Sequence, residues 1–423
     1  MNASEPSTSS LAAPPAWMPV GIVLAAGILL PTFADGLDPA KRVTQYLHQA
    51  WRDELPHSTV QDVLQTDDGY LWLATQEGLV RFDGLRFTVF TPRDTPALGD
   101  AHVLTLFSDS RGLLWIGTRG GGLATFADGD FAAVDSPGKV IFAITEDRAG
   151  RIWVGTLSGL LRFDGVRWTR FGRRDGLPND TVRAILEDSR GTLWVGTRES
   201  GLSRFQDGRF VSWTESTEPP LDEDVLDVDV VRLLEGGDGG LWIGTRNRGL
   251  LRWQRGRLST LTTADGLTAD TIFDLLSDRD GNLWIATYGG GLNRFDGHRL
   301  AALTAADGLT SDIVLSLFED REGSLWVGTS GGLNRLRDGA VTAWTAREGL
   351  GSDNAYCVLE DRSGALWIGT EGGGLNRLAN GRITTLTTAD GLSSDSVTAL
   401  LEDRSGALWV GTRDAGLNRL QDG

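Results

Sequence analysis

Four arginines recur at one place in a repeating pattern: Arg119, Arg198, Arg246 and Arg413 each follow a Gly-Thr pair. Tyr288, after Ala-Thr, and Glu371, after Gly-Thr, hold that place in two further copies. A guanidinium presents a planar fork of donors that suits a carboxylate or another oxyanion, and a phenol ring can stack on a sugar face. This set varies from copy to copy, as a surface that reads a ligand would. A second recurring set is acidic. Asp180, Asp270, Asp312, Asp353 and Asp395 each stand two residues before a β-rich run. They change little between copies, which suits carboxylates that bond nearby backbone amides in a turn. Both sets are ligand-binding candidates, the acids with capping as their competing role.

The elements that must position them are short strands. A tryptophan preceded by Leu or Ile occurs at Trp72, Trp115, Trp153, Trp194, Trp242, Trp284, Trp326, Trp367 and Trp409, at intervals of 38 to 48 residues. A period near 42 with several strands per unit and no helical stretch points to propeller blades. In the copy from Val182 to Trp213, Val182–Leu186 reads as the first strand and Glu187–Gly191 as a turn. Leu193–Thr197 alternates faces with period two, so Trp194 and Gly196 share one face, where a neighbouring sheet can come close. Gly201–Phe205 is the third strand, Asp207-Gly208 the hairpin turn, and Arg209–Trp213 the fourth. An indole that buries 150–250 Å² contributes roughly 4–6 kcal/mol gross at about 25 cal/mol/Å², so the tryptophans read as core.

The fold class is therefore all-β, a propeller of about nine four-stranded repeats across residues 42–423. It forms a single ring, or a seven- or eight-bladed ring plus the start of a second. The last copy stops after its third strand, and Arg42–Trp51 resembles the missing fourth. That strand is expected to complete the final sheet and close the circle, which removes an exposed edge. The loop from each outer strand to the next inner strand, and the loop between second and third strands, are expected on one face.

Composition narrows the chemistry. With 57 acidic and 40 basic residues the formal charge is −17, which disfavours binding to a phosphate backbone. Glycine, at 56 of 423 residues, has about twice its usual share, as frequent turns require. The single Cys357 permits no intrachain disulfide. His48, His57, His102 and His298 fall in unrelated repeat positions, so neither a metal site nor a cofactor is expected. Asp109, Asp147, Asp188, Asp278, Asp320, Asp361 and Asp403 resemble the aspartate boxes of sialidase-type propellers, yet each precedes its Gly by three residues rather than two. No hydrolase follows from them. The acidic stretch Leu221–Asp229 lacks EF-hand spacing and reads as an insertion with a solvated edge. No catalytic constellation can be placed, and an enzyme is not expected.

Residues 17–33 form an apolar run, short for a bilayer-spanning helix and holding Pro19 and Pro31. Small residues at Thr32 and Ala34 suit a cleavage site, so residues 1–34 read as a signal peptide, with an uncleaved anchor as the alternative and 35–41 as a linker. Export to the periplasm is the expectation. Residues 17–33, if retained, are the only contact with the membrane.

The units resemble the two-component regulator propeller repeats of bacterial sensor proteins. The residues that carry the resemblance are LFEDREGSLWVGTSGGLNRL at 317–336, LEDRSGALWIGTEGGGLNRL at 359–378, and the copy at 400–420. It implies the periplasmic sensor region of hybrid histidine kinases and diguanylate cyclases, with a small-molecule ligand and a signalling output protein as partners. The kinase or cyclase domain of that family has no counterpart in this sequence. A protein-interaction scaffold is the alternative, and a propeller-type lyase a more distant one.

Overall fold

The computed structural model describes residues 36–212 and 228–421, all within one compact unit. Alternating apolar residues and Gly-containing turns fold each repeat into an antiparallel meander. Among the described residues there are nine sheets, eight of four strands and one of three. The fourth is representative: Val182–Glu187, Leu193–Thr197, Leu202–Gln206 and Arg209–Ser212. Asp207 and Gly208 turn its last hairpin with φ of 50° and 83°, which matches the right-handed twist of the flanking strands. Trp213 and the acidic stretch 221–227 lie outside the described residues.

Each repeated residue has a mechanical task. The tryptophan of one blade packs on the next: Trp153 joins Leu160 and Phe171 of its own sheet to Val182, Leu193 and Val195 of the following one. Its neighbour on the same face, Gly155, admits that sheet. A Cβ there would lie 2.8 Å from the Val182 carbonyl oxygen. The buried indole N–H donates to a carboxylate six residues earlier, Trp153 to Asp147 at 2.7 Å and Trp284 to Asp278 at 2.7 Å. The same carboxylates accept turn amides, so each sets the hairpin and satisfies the indole together. In the fifth blade Gly236 takes the place of that acid, and in the first Thr66 takes it and accepts the indole N–H of Trp72 at 3.0 Å. The glutamate preceding the acid reaches across to the neighbouring blade. Glu146, Glu187, Glu235 and Glu319 accept the turn amides of Ser110, Arg148, Ser189 and Arg279.

The ring has seven blades with two further sheets, the second of the two expected arrangements rather than a single ring of nine. Trp326 of the seventh packs among Val60, Val63 and Leu73 of the first. Gly328 approaches Val60 as Gly155 approaches Val182, and the Arg321 amide donates to Gln65 Oε1 at 3.0 Å. The N-terminal strand Leu47–Trp51 completes this seventh sheet, pairing Leu47 with Arg337 and Trp51 with Leu333, rather than the final sheet. Trp51 stacks on Trp326 at 5.4 Å and meets Phe82 edge-on at 5.6 Å. The preceding segment is docked too. Leu37, in the stretch read as a linker, is buried with Val43 and Tyr46 against Trp284, and Lys41 pairs with Asp338 at 3.3 Å.

The remaining two sheets begin a second array. Trp367 packs on Val397, Leu408 and Val410, and Glu402 accepts the Arg362 amide, repeating the inter-blade contacts of the ring. Among the described residues no blade packs on the other face of the eighth sheet. Its inner strand, Ala355–Glu360, leaves Tyr356 and Val358 exposed, and Leu401 and Leu417 are exposed on the ninth.

Candidate site at the mouth of the axial channel

Every inner strand breaks register after its first residue, so its second residue is a bulge. A bulge re-aims side chains, and in the ring the second and third residues of these strands face the axis. The seven bulge residues are Gln61, Leu104, Phe142, Arg183, Val231, Phe273 and Leu315, and all seven line one axial cavity of about 230 Å³. The first and fourth residues of these strands repeat as Val, Ile or Leu, whereas the second and third differ from blade to blade.

One side of the cavity is cationic and aromatic. Arg183 and Arg246 flank Asp229, with Nε at 3.7 Å and 3.8 Å from its two carboxylate oxygens. Those separations are ion pairs without hydrogen bonds, and Arg183 Nε and Asp229 Oδ1 make none to any other group. Arg198, paired with Glu199 at 3.2 Å, adds its field to both. Burial pushes the Arg183 guanidinium below its ordinary pKa and the Asp229 carboxyl above its own, with the mutual attraction opposing both. Each cation lies over a ring, Arg183 at 5.8 Å from the centre of Phe142 and Arg246 at 5.4 Å from that of Phe273. Tyr288 stacks on Phe273 at 5.6 Å.

The third residues of the inner strands add a second charged set. Asp62 and Asp274 are third residues of their inner strands and clamp the next blade, accepting the amides of Leu106 and Leu317, each at 2.8 Å. Arg232 Nε lies 2.7 Å from Asp274 Oδ1. Burial raises both carboxyls, Asp62 to about 6, against its amide bonds and the Arg232 charge. Ser316 Oγ in the same wall has no hydrogen-bond partner.

The two loop families do emerge on one face. The residue after each Gly-Thr or Ala-Thr donates its amide to the residue just before an inner strand: Arg198 to Thr181, Arg246 to Asp229 and Tyr288 to Thr271. Among the candidates, Arg246 and Tyr288 meet through Phe273, and Arg198 stands beside them. Arg119 donates its amide to His102 and faces that imidazole, whose pKa is lowered by burial and by the guanidinium. Arg413 and Glu371 pair with each other at 3.1 Å across the eighth and ninth sheets and belong to the second array. The five recurrent aspartates pin the loop before their strand. Asp180, Asp270, Asp312, Asp353 and Asp395 accept the amides seven residues earlier, of Arg173, Thr263, Ala305, Ala346 and Thr388. Sequence reasoning passed over Arg183, Phe142, Phe273 and Asp229. Comparing the repeats position by position would have exposed the second and third inner-strand residues as the variable ones.

Among the described residues, no group of three or more His, Cys, Asp or Glu is placed to hold a metal ion, and no helix is long and apolar enough to cross a membrane.

Stacked meanders around an axial cavity, closed by an N-terminal strand, define a β-propeller. Its repeats match the family model described as "Two component regulator propeller" at residues 54–77, 97–120, 135–158, 176–199, 266–289, 308–331, 349–372 and 391–414. The chain belongs to this family of propeller repeats. The fifth blade, whose acid is replaced by Gly236, contributes no match. No curated protein matches the chain. Among solved structures it is similar to the extracellular domain of BT3049 from B. thetaiotaomicron, named as a hybrid two component system protein. That likeness has a TM-score of 0.70 and 24% identity, over 89% of this chain and 54% of the other. The extracellular domain of BT4673 from the same organism, named likewise, gives 0.58 and 23%, over 89% and 52%. A streptogramin B lyase gives 0.55 and 19%, over 70% and 99%. The chain thus spans about half the length of the two extracellular domains, and the likeness in all three is one of fold.

Proposed function

We propose that this chain is a ligand-binding sensor propeller, the extracytoplasmic input of a bacterial two-component or cyclic-dinucleotide signalling system. The observation that carries the reading is the axial cavity, where all seven blades present a variable inner residue to a common space. A scaffold that bound only through its rim would have no need of buried, loosely paired charge along its axis. The ligand class is a carbohydrate fragment or small anion, and the exported chain passes its state to an output protein through altered blade packing. Family membership supports the signalling role, and the two extracellular domains of similar fold support the location. The likeness to the lyase is one of fold, and the role read here is one of binding. A thermal-shift screen of the whole chain with oligosaccharides and small organic acids is expected to show stabilisation that rises with ligand concentration. A melting temperature unmoved by every compound would overturn the sensor reading. A second reading, a protein-interaction scaffold, draws on the exposed Tyr356, Val358, Leu401 and Leu417 of the last two sheets.

A further inference from the structure

Among the described residues at the channel mouth, cationic groups outnumber anionic ones by one. Arg183, Arg198 and Arg246 face Asp229 and Glu199, so three positive groups meet two negative ones. At the third residues of the inner strands the balance reverses, with Asp62 and Asp274 against Arg232. A dianion seated at the mouth would therefore also meet the negative field of Asp62 and Asp274, whereas a monoanion neutralises the local excess. The donors are available. Arg183 Nε is buried without a hydrogen bond, and at 3.7 Å and 3.8 Å Asp229 holds the two guanidiniums in place without satisfying them. An oxyanion reaching both forks would supply the charge-assisted hydrogen bonds that Asp229 does not make. Phe142 and Phe273 lie under the same two guanidiniums, so a group attached to the anion has flat apolar surface on either side. At about 230 Å³ the cavity is smaller than the 300–1,000 Å³ of sites for drug-sized ligands, so the occupant has about the size of one sugar ring.

We propose that this mouth binds a compact monocarboxylate with a ring body, its carboxylate held by Arg183 and Arg246 and its ring between Phe142 and Phe273. The inference rests on the sensor reading and narrows it to one site and one ligand charge. Asp229 then serves as the positioning carboxylate that keeps both guanidiniums aimed at the axis before ligand arrives.

The test is calorimetric titration and thermal shift of the whole chain with galacturonate and benzoate as monocarboxylate probes. Galactose and inorganic phosphate serve as neutral and more highly charged comparators. Saturable binding of at least one carboxylate is expected, with galactose and phosphate at least ten-fold weaker. R183Q and R246Q should each weaken carboxylate binding at least ten-fold, while R299Q, at an exposed site in the sixth blade, should leave it unchanged. Arg246 is substantially exposed, so R246Q gives a folded variant even where R183Q does not. Equal binding of galactose, or retention of carboxylate binding by R246Q, would overturn the monocarboxylate site and leave the sensor reading intact. Absence of binding by both carboxylates would also overturn it, and only failure of the wider screen would remove the sensor reading as well.

Discussion

The seven-bladed closure makes a quantitative prediction about two indoles 275 positions apart in sequence, Trp51 and Trp326. Their rings stack at 5.4 Å with planes 22° apart, and Trp51 also meets Phe82 at 5.6 Å and Phe87 at 6.5 Å. Full truncation of a core tryptophan costs about 3–5 kcal/mol, and Trp51 is only half-buried, so Trp51→Ala should cost about 2–3 kcal/mol. Of this, about 1 kcal/mol belongs to the stacked pair and should appear as coupling in a double-mutant cycle with Trp326→Ala. The same cycle with Trp409→Ala should give no coupling beyond about 0.5 kcal/mol, because the ninth sheet lies elsewhere. Equilibrium unfolding in urea, followed by far-ultraviolet circular dichroism, reads these energies without relying on the fluorescence of the residues removed. Coupling of Trp51 to Trp409 and not to Trp326 would mean that the N-terminal strand completes the last sheet, and the seven-bladed ring would fall. So would a Trp51→Ala variant as stable as the parent, since a strand that closes the ring cannot be energetically silent.

Two further outcomes test the blade mechanics and the channel. Gly155→Ala should destabilise by about 1–3 kcal/mol in thermal denaturation, because its methyl carbon would lie 2.8 Å from the Val182 carbonyl oxygen. Gly411→Ala should be nearly neutral, its nearest neighbour among the described residues being the Ala399 Cβ at 3.3 Å. For Asp62 the sign follows from its raised pKa: the protonated acid is the form the channel favours. Its contribution is fully present below pH 3.8 and is lost as pH rises through about 6. Asp62→Asn keeps an acceptor for the Leu106 amide and removes the titration. Between pH 4 and 7 the parent should therefore lose up to about 3 kcal/mol of stability relative to the variant, read as a difference in melting temperature. Asp274 and Arg232, which face Asp62, are common to both proteins and cancel in that difference; parallel pH profiles would refute the burial argument.

Much of the blade was legible in the chain itself. Period-two alternation placed the strands, Asp-Gly placed the hairpin at 207–208, and Trp with Gly two residues on marked the face that meets the next sheet. These features are local, and each is fixed by a few neighbouring residues whatever the global arrangement. The candidate arginines were found for the same reason, since Arg246 and Arg198 sit at a fixed step after Gly-Thr.

Ring size was another matter. The third strands of the seventh and ninth sheets carry the identical run Gly-Leu-Asn-Arg-Leu, at 332–336 and 416–420, so backbone pairing alone offers the N-terminal strand two equivalent edges. What separates them is the cumulative rotation from blade to blade, which brings the seventh sheet against Val60 and lets Trp51 stack on Trp326. The channel was hidden for a related reason. A bulged second residue reads as an ordinary strand position, and Arg183, Phe142 and Phe273 become neighbours only when blades three to six converge on the axis. Short-range chemistry thus decided what each blade is, and long-range packing decided how many close the ring and which side chains share its centre.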